Sequence, residues 1–223
     1  MAKVHKKKRG KQTLLRIIMI LIGVLTAALG GHLIRMAMKT RLILILIGAV
    51  LIAVGILLKP KTKHGDAGEQ LALELLKKLP KEYHIFTNLE FELRGHHETD
   101  LIVAGPNGVT VCEVKYWSGR VDELDERTVR HTHKDGSSEN VHSPVHQVIA
   151  HYETLHDALW RKGVKVPTNG LVLMMHPDCE AHFRSGGVKV LTCPGINEVK
   201  RCLGSGGRVN VANTVKALNE ISL

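Results

Sequence analysis

ETDLIVAGPNGVTVCEVKYWSG, residues 98–119, reads as two apolar strands around a Gly-Pro-Asn-Gly turn, interrupted by three charges, Asp100, Glu113 and Lys115. Side chains alternate across a strand, so Glu113 and Lys115 share one face while Cys112 and Val114 take the other. A four-residue loop over Gly105 to Gly108, or a two-residue Pro106-Asn107 loop, sets Leu101 against Cys112 and Asp100 against Glu113. A three-residue loop or a bulge would break that register. Directly opposed residues have Cβ atoms roughly 4.5–5.5 Å apart, and like charges there are destabilising. A divalent cation held by the hard carboxylate oxygens would neutralise them. Lys115, one pleat further on, would then point at whatever the cation binds. An edge-strand charge ladder is the competing reading. The flanks favour a site, because both faces of the hairpin are otherwise apolar, as in an internal strand, where an unpaired charge costs several kcal/mol.

Around the hairpin the pattern is α-β-β-β-α-β with extensions, an α/β fold with a mixed sheet flanked by helices. Asp66 as N-cap and Glu69 as its capping-box partner open a helix with Leu71, Leu75 and Leu79 on one stripe, ending near Pro80. Tyr83 to Phe91 reads as a strand. The polar stretch RHTHKDGSSENVH, residues 130–142, has no periodicity and reads as a mobile loop. Ser143 as N-cap and Pro144 at the first helical position start a second helix, with Val148, Tyr152, Leu155 and Leu159 on its buried face. Asn169 to Met175 and Val188 to Thr192 are short apolar runs that read as buried strands. A last helix covers Val211 to Ile221.

The net charge of +10 has to be divided before it says anything. Residues 1–63 hold 13 of the 31 Lys and Arg and none of the 21 Asp and Glu, leaving 18 basic against 21 acidic side chains afterwards. The basic excess therefore speaks of topology and not of a DNA footprint. Ile17 to Ile34 and Leu42 to Leu58 are apolar runs of transmembrane character, the second at the short end of a roughly 17–25 residue span. Six Lys and Arg in KVHKKKRGKQ, with Arg16, outnumber Arg35, Lys39 and Arg41 of the connector, so the N-terminus is expected in the cytoplasm. Two spans return the chain there at Lys59. The predicted organisation is a basic cytoplasmic tail (1–16), a transmembrane helical hairpin (17–58), a linker (59–64) and a globular domain (65–223) at the cytoplasmic face of the cell's inner membrane. A signal peptide with a small-residue site near Thr26-Ala27-Ala28 is the alternative, disfavoured by the second span that follows at once. Gly23 and Gly30, like Gly48 and Gly55, lie seven apart. Such a stripe lets the hairpin pack on itself or, as a homodimer, on a second copy.

Cys112, Cys179, Cys193 and Cys202 form no CxxC pair and fit reduced cytosolic thiols. His131, His133, His142 and His146 cluster in sequence. Ser143-Pro144 places the helix start after His142, and the loop has no shaping residues, so the histidines do not read as a zinc site.

The runs GDAGEQLALELLKKLP (65–80), ETDLIVAGPNGVTVCEVKYWSGRV (98–121) and SPVHQVIAHYETL (143–155) resemble, in order and spacing, the NERD (nuclease-related domain) family of the PD-(D/E)XK nuclease superfamily. The resemblance spans about residues 65–175 and implies a restriction-endonuclease-like fold. It also implies Asp100 and Glu113 as ligands of Mg²⁺ (or Mn²⁺), with Lys115 as the catalytic lysine. Glu69 would complete the catalytic set, and Gln147 would contact nucleic acid. Thr99 departs from the superfamily's proline at a position without a direct chemical role. The activity implied is metal-dependent hydrolysis of phosphodiester bonds, with DNA ahead of RNA as partner and the lipid bilayer as anchor. A catalytically inactive nucleic-acid or protein-binding module on the same fold is the second reading, and a membrane scaffold the third.

Overall fold

A computed structural model describes residues 1–6, 17–26, 28, 38–57, 63–92, 96–184, 187–203 and 209–222. The chain divides into two compact units, one of Met1–Lys7 with Lys63–Leu223 and one of Lys8–Thr62.

In the larger unit, strands β2 (His84–Glu92), β3 (His96–Gly105) and β4 (Gly108–Lys115) form an antiparallel meander. The β3–β4 turn is Pro106-Asn107, closed by the Gly105–Gly108 pair, and the ladder runs up to Leu101 opposite Cys112 as the even-length loop requires. Gly108 has φ +123°, and a Cβ there would lie 2.3 Å from the carbonyl oxygen of Pro167, so only glycine fits this turn. β4 then pairs in parallel with β8 (Thr168–Met174), and β8 with β10 (Lys189–Thr192). The far edge holds a strand the sequence did not announce. β1 (Lys3–Lys6) runs parallel to β2, so the start of the basic segment read as a tail is part of the sheet. The six-stranded order is β1-β2-β3-β4-β8-β10.

Strict alternation explains why the central strands are apolar on both faces. Leu101, Val103, Cys112 and Val114 pack against α3 (Lys63–Leu76), while Ile102, Ala104, Val109 and Val111 pack against α4 (Pro144–Arg161) and α6 (Val211–Ile221). α4 starts as its sequence dictates, with Ser143 as N-cap accepting from the His146 N–H and Pro144 in the first turn. Asn210 caps α6 in the same way. α5 (Ile196–Cys202) is a short helix absent from the sequence reading.

Other expectations are corrected. α3 begins at Lys63, inside the predicted linker, so Asp66 lies within the helix and is not its cap. Its buried stripe is Gly68, Ala72 and Leu76, whereas Leu71 is 46% exposed. Residues 130–142 are not a loop. They fall in a second, four-stranded sheet of order β7-β6-β5-β9, built from β5 (Gly119–Glu123), β6 (Thr128–Thr132), β7 (Ser138–His142) and β9 (Cys179–His182). The β6–β7 turn is held by the Gly136 N–H donating to the His133 carbonyl at 3.0 Å, with Gly136 at φ +85°.

In the smaller unit, residues 17–26 are helical (α1) and α2 runs Met38–Leu57. No helix among the described residues is long and apolar enough to cross a membrane, so the predicted transmembrane hairpin is not supported. The charge-free part of α2, Leu42–Leu57, is about 24 Å long at 1.5 Å per residue, short of a roughly 30 Å hydrocarbon core. Gly23 and Gly48 meet within the chain: a Cβ on Gly23 would stand 3.0 Å from the Gly48 carbonyl oxygen. Gly30 lies outside the described residues.

Candidate active site

The three charges of the β3–β4 hairpin lie at the end of the central strands away from the turn. The ladder stops at Leu101 and Cys112, and one residue further Asp100 turns its carboxylate to the backbone. Its Oδ2 accepts the Val114 N–H at 2.9 Å, which fixes the orientation of the carboxylate across β4. Glu113 is buried, 4% exposed, on the face covered by α4. Its Oε1 accepts from Lys115 Nζ at 2.7 Å, and Lys115 Nζ also lies 5.6 Å from the centre of the Trp117 ring. The repulsion expected between the carboxylates is thus relieved within the protein, by one ammonium and one backbone N–H. It does not by itself require a cation.

Two residues that the sequence reading passed over stand beside this pair. His151 of α4 brings Nδ1 to 3.8 Å from Glu113 Oε2. It lies one turn beyond Gln147, on the same helix face, and that spacing was legible. Asn88 occupies the β2 position opposite Asp100 in the β2–β3 register, where the ladder skips one pair. Its φ is +51°, the left-handed region that costs a non-glycine residue energy. Its buried Oδ1 has no hydrogen-bond partner among the described residues. Backbone strain and an unsatisfied buried amide cluster at functional sites, which makes Asn88 a candidate beside Asp100. Nothing in the sequence around Asn88 signals them.

α3 reaches the same end of the sheet at Gly68, the residue before Glu69. A Cβ on Gly68 would lie 2.9 Å from Tyr116 Cβ and 3.5 Å from Val114 Cγ1, so the missing side chain is what lets α3 touch the residues flanking Lys115. Since α3 starts at Lys63, the capping-box role for Glu69 falls away. Glu69 does not close with Asp100 and Glu113 into a tight three-ligand cluster; among the described residues the group of that kind is His131, His133 and Glu139. Gln147 sits half-buried in the first turn of α4. Thr99 stands in for the superfamily proline, and its buried hydroxyl donates to the Leu89 carbonyl at 3.2 Å. The donor chemistry of the site, two carboxylates on adjacent strands with a lysine beside them, fits a hard divalent cation.

The cysteines offer no competing nucleophile. Burial, with the charge of Asp100 added, pushes the Cys112 thiol up to about 12, and burial pushes Cys179 up to about 11. Cys193 and Cys202 are also raised, chiefly by burial. Thiols so raised stay protonated and inert at neutral pH.

A buried Glu113 with Lys115 two residues on in a central strand, an aspartate on its antiparallel neighbour and a helix on either face make up a mixed α/β protein with a charged site at one end of its sheet. The family model for the nuclease-related domain matches residues 64–175, half of the chain. The chain belongs to this NERD family, consistent with the PD-(D/E)XK nuclease superfamily. No curated protein and no solved structure is similar enough to match.

Proposed function

We propose that this NERD protein hydrolyses phosphodiester bonds of DNA with Mg²⁺ (or Mn²⁺) at the β3–β4 site. The observation that carries the reading is Glu113, a carboxylate 4% exposed and held 2.7 Å from Lys115. A buried ion pair is a weak device for stability, so one placed at the end of the central strands favours chemistry. Asp100 and Glu113 would hold the metal, which when bound offsets charge on the scissile phosphate and acidifies water. Lys115 leaves Glu113 for the phosphate and stabilises the charge that develops on its oxygens. The Val114 N–H keeps the Asp100 carboxylate aimed, and His151 stands beside Glu113 at 3.8 Å, able to pair with it when protonated. Glu69 completes the acidic set through water, and Gln147 hydrogen-bonds the nucleic acid.

The hairpin of the smaller unit is proposed to seat in a lipid bilayer. Ile17, Leu21, Leu25, Leu46 and Val50 are among its exposed large apolar residues, a concentration that elsewhere marks membrane or protein contact. The larger unit includes chain from both sides of the hairpin. On this reading the chain leaves and returns on one membrane face, the cytoplasmic one by the excess of Lys and Arg ahead of the hairpin. The test of function is incubation of the purified full chain with single- and double-stranded DNA and RNA in Mg²⁺, Mn²⁺ or EDTA. Metal-dependent cleavage of DNA supports the reading. Binding without cleavage in any metal overturns it in favour of an inactive binding module.

A further inference from the structure

We infer that His131, His133 and Glu139 form a second metal site, separate from the carboxylate pair and suited to a zinc-like transition cation. His131 lies in β6 and Glu139 directly opposite it in β7, while His133, two residues on, returns to the same face. The Oε1 atom of Glu139 lies 3.9 Å from His131 Nδ1 and 3.4 Å from His133 Nε2, and the three ligand atoms all fall within 4.8 Å of one another. Ligands about 2.0–2.2 Å from a tetrahedral Zn²⁺ stand roughly 3.3 Å apart. Closing the observed gaps takes small rotations of two side chains, His133 and Glu139, that are not buried.

His131 is already set as a ligand. Its Nε2 lies 2.7 Å from the Ser118 carbonyl oxygen. A carbonyl can only accept, so Nε2 carries the hydrogen and the lone pair of the neutral ring is on Nδ1, the atom facing Glu139. A backbone carbonyl bonded to the far nitrogen is the usual outer partner of a metal-bound imidazole. The ring is 4% exposed and stacks on Trp117 with centroids 5.2 Å apart, so its rotamer is fixed before any ion arrives. Neighbouring charges are engaged elsewhere: Lys134 with Asp178, and Asp135 with Ser137. Two imidazoles and one carboxylate suit Zn²⁺, Ni²⁺ or Fe²⁺ more than Mg²⁺. Three protein ligands leave a coordination position open. Such an ion would cross-link the two strands of the β6–β7 hairpin at its turn end. It would also sit one ring from Trp117, over which Lys115 lies.

The test uses the full chain in detergent micelles, with Zn²⁺ affinity measured by competition with a chromophoric chelator and Ni²⁺ quenching of Trp117 emission read in a Trp160→Phe background. One Zn²⁺ equivalent should bind and Ni²⁺ should quench. Glu139→Gln and His133→Ala, both at positions that are not buried, should each weaken Zn²⁺ at least about tenfold. Asp100→Asn with Glu113→Gln should retain the ion, as should His146→Ala, which removes the His142–His146 pair. Absence of stoichiometric binding, affinity unchanged in Glu139→Gln and His133→Ala, or loss in either control would overturn the assignment. The controls also keep its failure distinct from failure of the nuclease reading.

Discussion

Lys115→Met keeps the apolar stem and removes the ammonium that Glu113 holds at 2.7 Å. The Glu113 side chain, 6% exposed in that pair, keeps the His151 ring at 3.8 Å, a cation only when that ring is protonated. Removing one partner of a buried pair costs about 3–5 kcal/mol. Lys115 is itself partly exposed, which puts the expected loss at the lower end, about 3 kcal/mol. For a domain of this size each kcal/mol moves Tm by roughly 2–4 °C, so the variant should melt about 6–12 °C lower in EDTA. Magnesium should narrow the gap. In the wild type a cation at Glu113 competes with the lysine, whereas in the variant it replaces the missing charge. Binding at a hundredfold excess over Kd contributes about 2.7 kcal/mol, nearly the whole deficit. The assay is thermal melting of the full chain by near-ultraviolet circular dichroism, since a fragment starting at residue 64 would lack β1. Equal Tm values in EDTA, or equal magnesium shifts in both proteins, would refute the reasoning.

Asn88→Gly should relieve the left-handed strain and remove an unsatisfied buried amide, raising stability by about 1 kcal/mol while lowering DNA cleavage. A loss of stability in melting experiments, with activity intact, would make Asn88 a structural residue. His5 and His84 share a hydrogen bond of 3.0 Å between β1 and β2, and burial, with Lys3 contributing, holds both below the ordinary imidazole value of 6.5. The native state then binds fewer protons than the unfolded chain below that value, so stability is lost as pH falls from about 6.5. Hydrogen exchange at Val4 and His5, corrected for intrinsic rates, should show β1 losing protection between pH 7.5 and 5.5. The same loss in His5→Gln would assign it to other groups. For the hairpin, the protein should stay with membranes through carbonate extraction, and tags at both termini should be shielded from protease in right-side-out vesicles; release, or one exposed tag, would contradict the anchoring.

The hairpin that decides the fold was legible because its turn chemistry and two-faced apolar strands agree: the Pro106-Asn107 turn between glycines sets the register from Gly105–Gly108 up to Leu101–Cys112, one residue short of Asp100 and Glu113. Ser143-Pro144 fixed the start of α4 for the same reason, a local signal strong enough to stand without tertiary context. The second sheet was hidden because its strands are short and carry few apolar residues; in β6 only Val129 and His131 are buried, too few to establish a period. β1 was hidden by its charge. Lys3 and Lys6 suit an edge strand as well as they suit a tail, and only pairing with His84 to Thr87 separates the two. Asn88 was invisible because strain belongs to the backbone; the spacing of His151 from Gln147 was legible, but a histidine on a helix acquires meaning only from the strand it faces.

The most direct test of the account is the rate of DNA cleavage by wild type and Glu113→Gln in Mg²⁺, both shown to be folded by the same melting assay. Glutamine keeps the size of the side chain and an oxygen for the Lys115 ammonium, but removes the charge needed to hold a divalent ion. The wild type should cleave in a metal-dependent way and the variant should lose at least about a hundredfold, equal to about 2.7 kcal/mol of barrier. Equal rates, or cleavage by both proteins in EDTA, would contradict this.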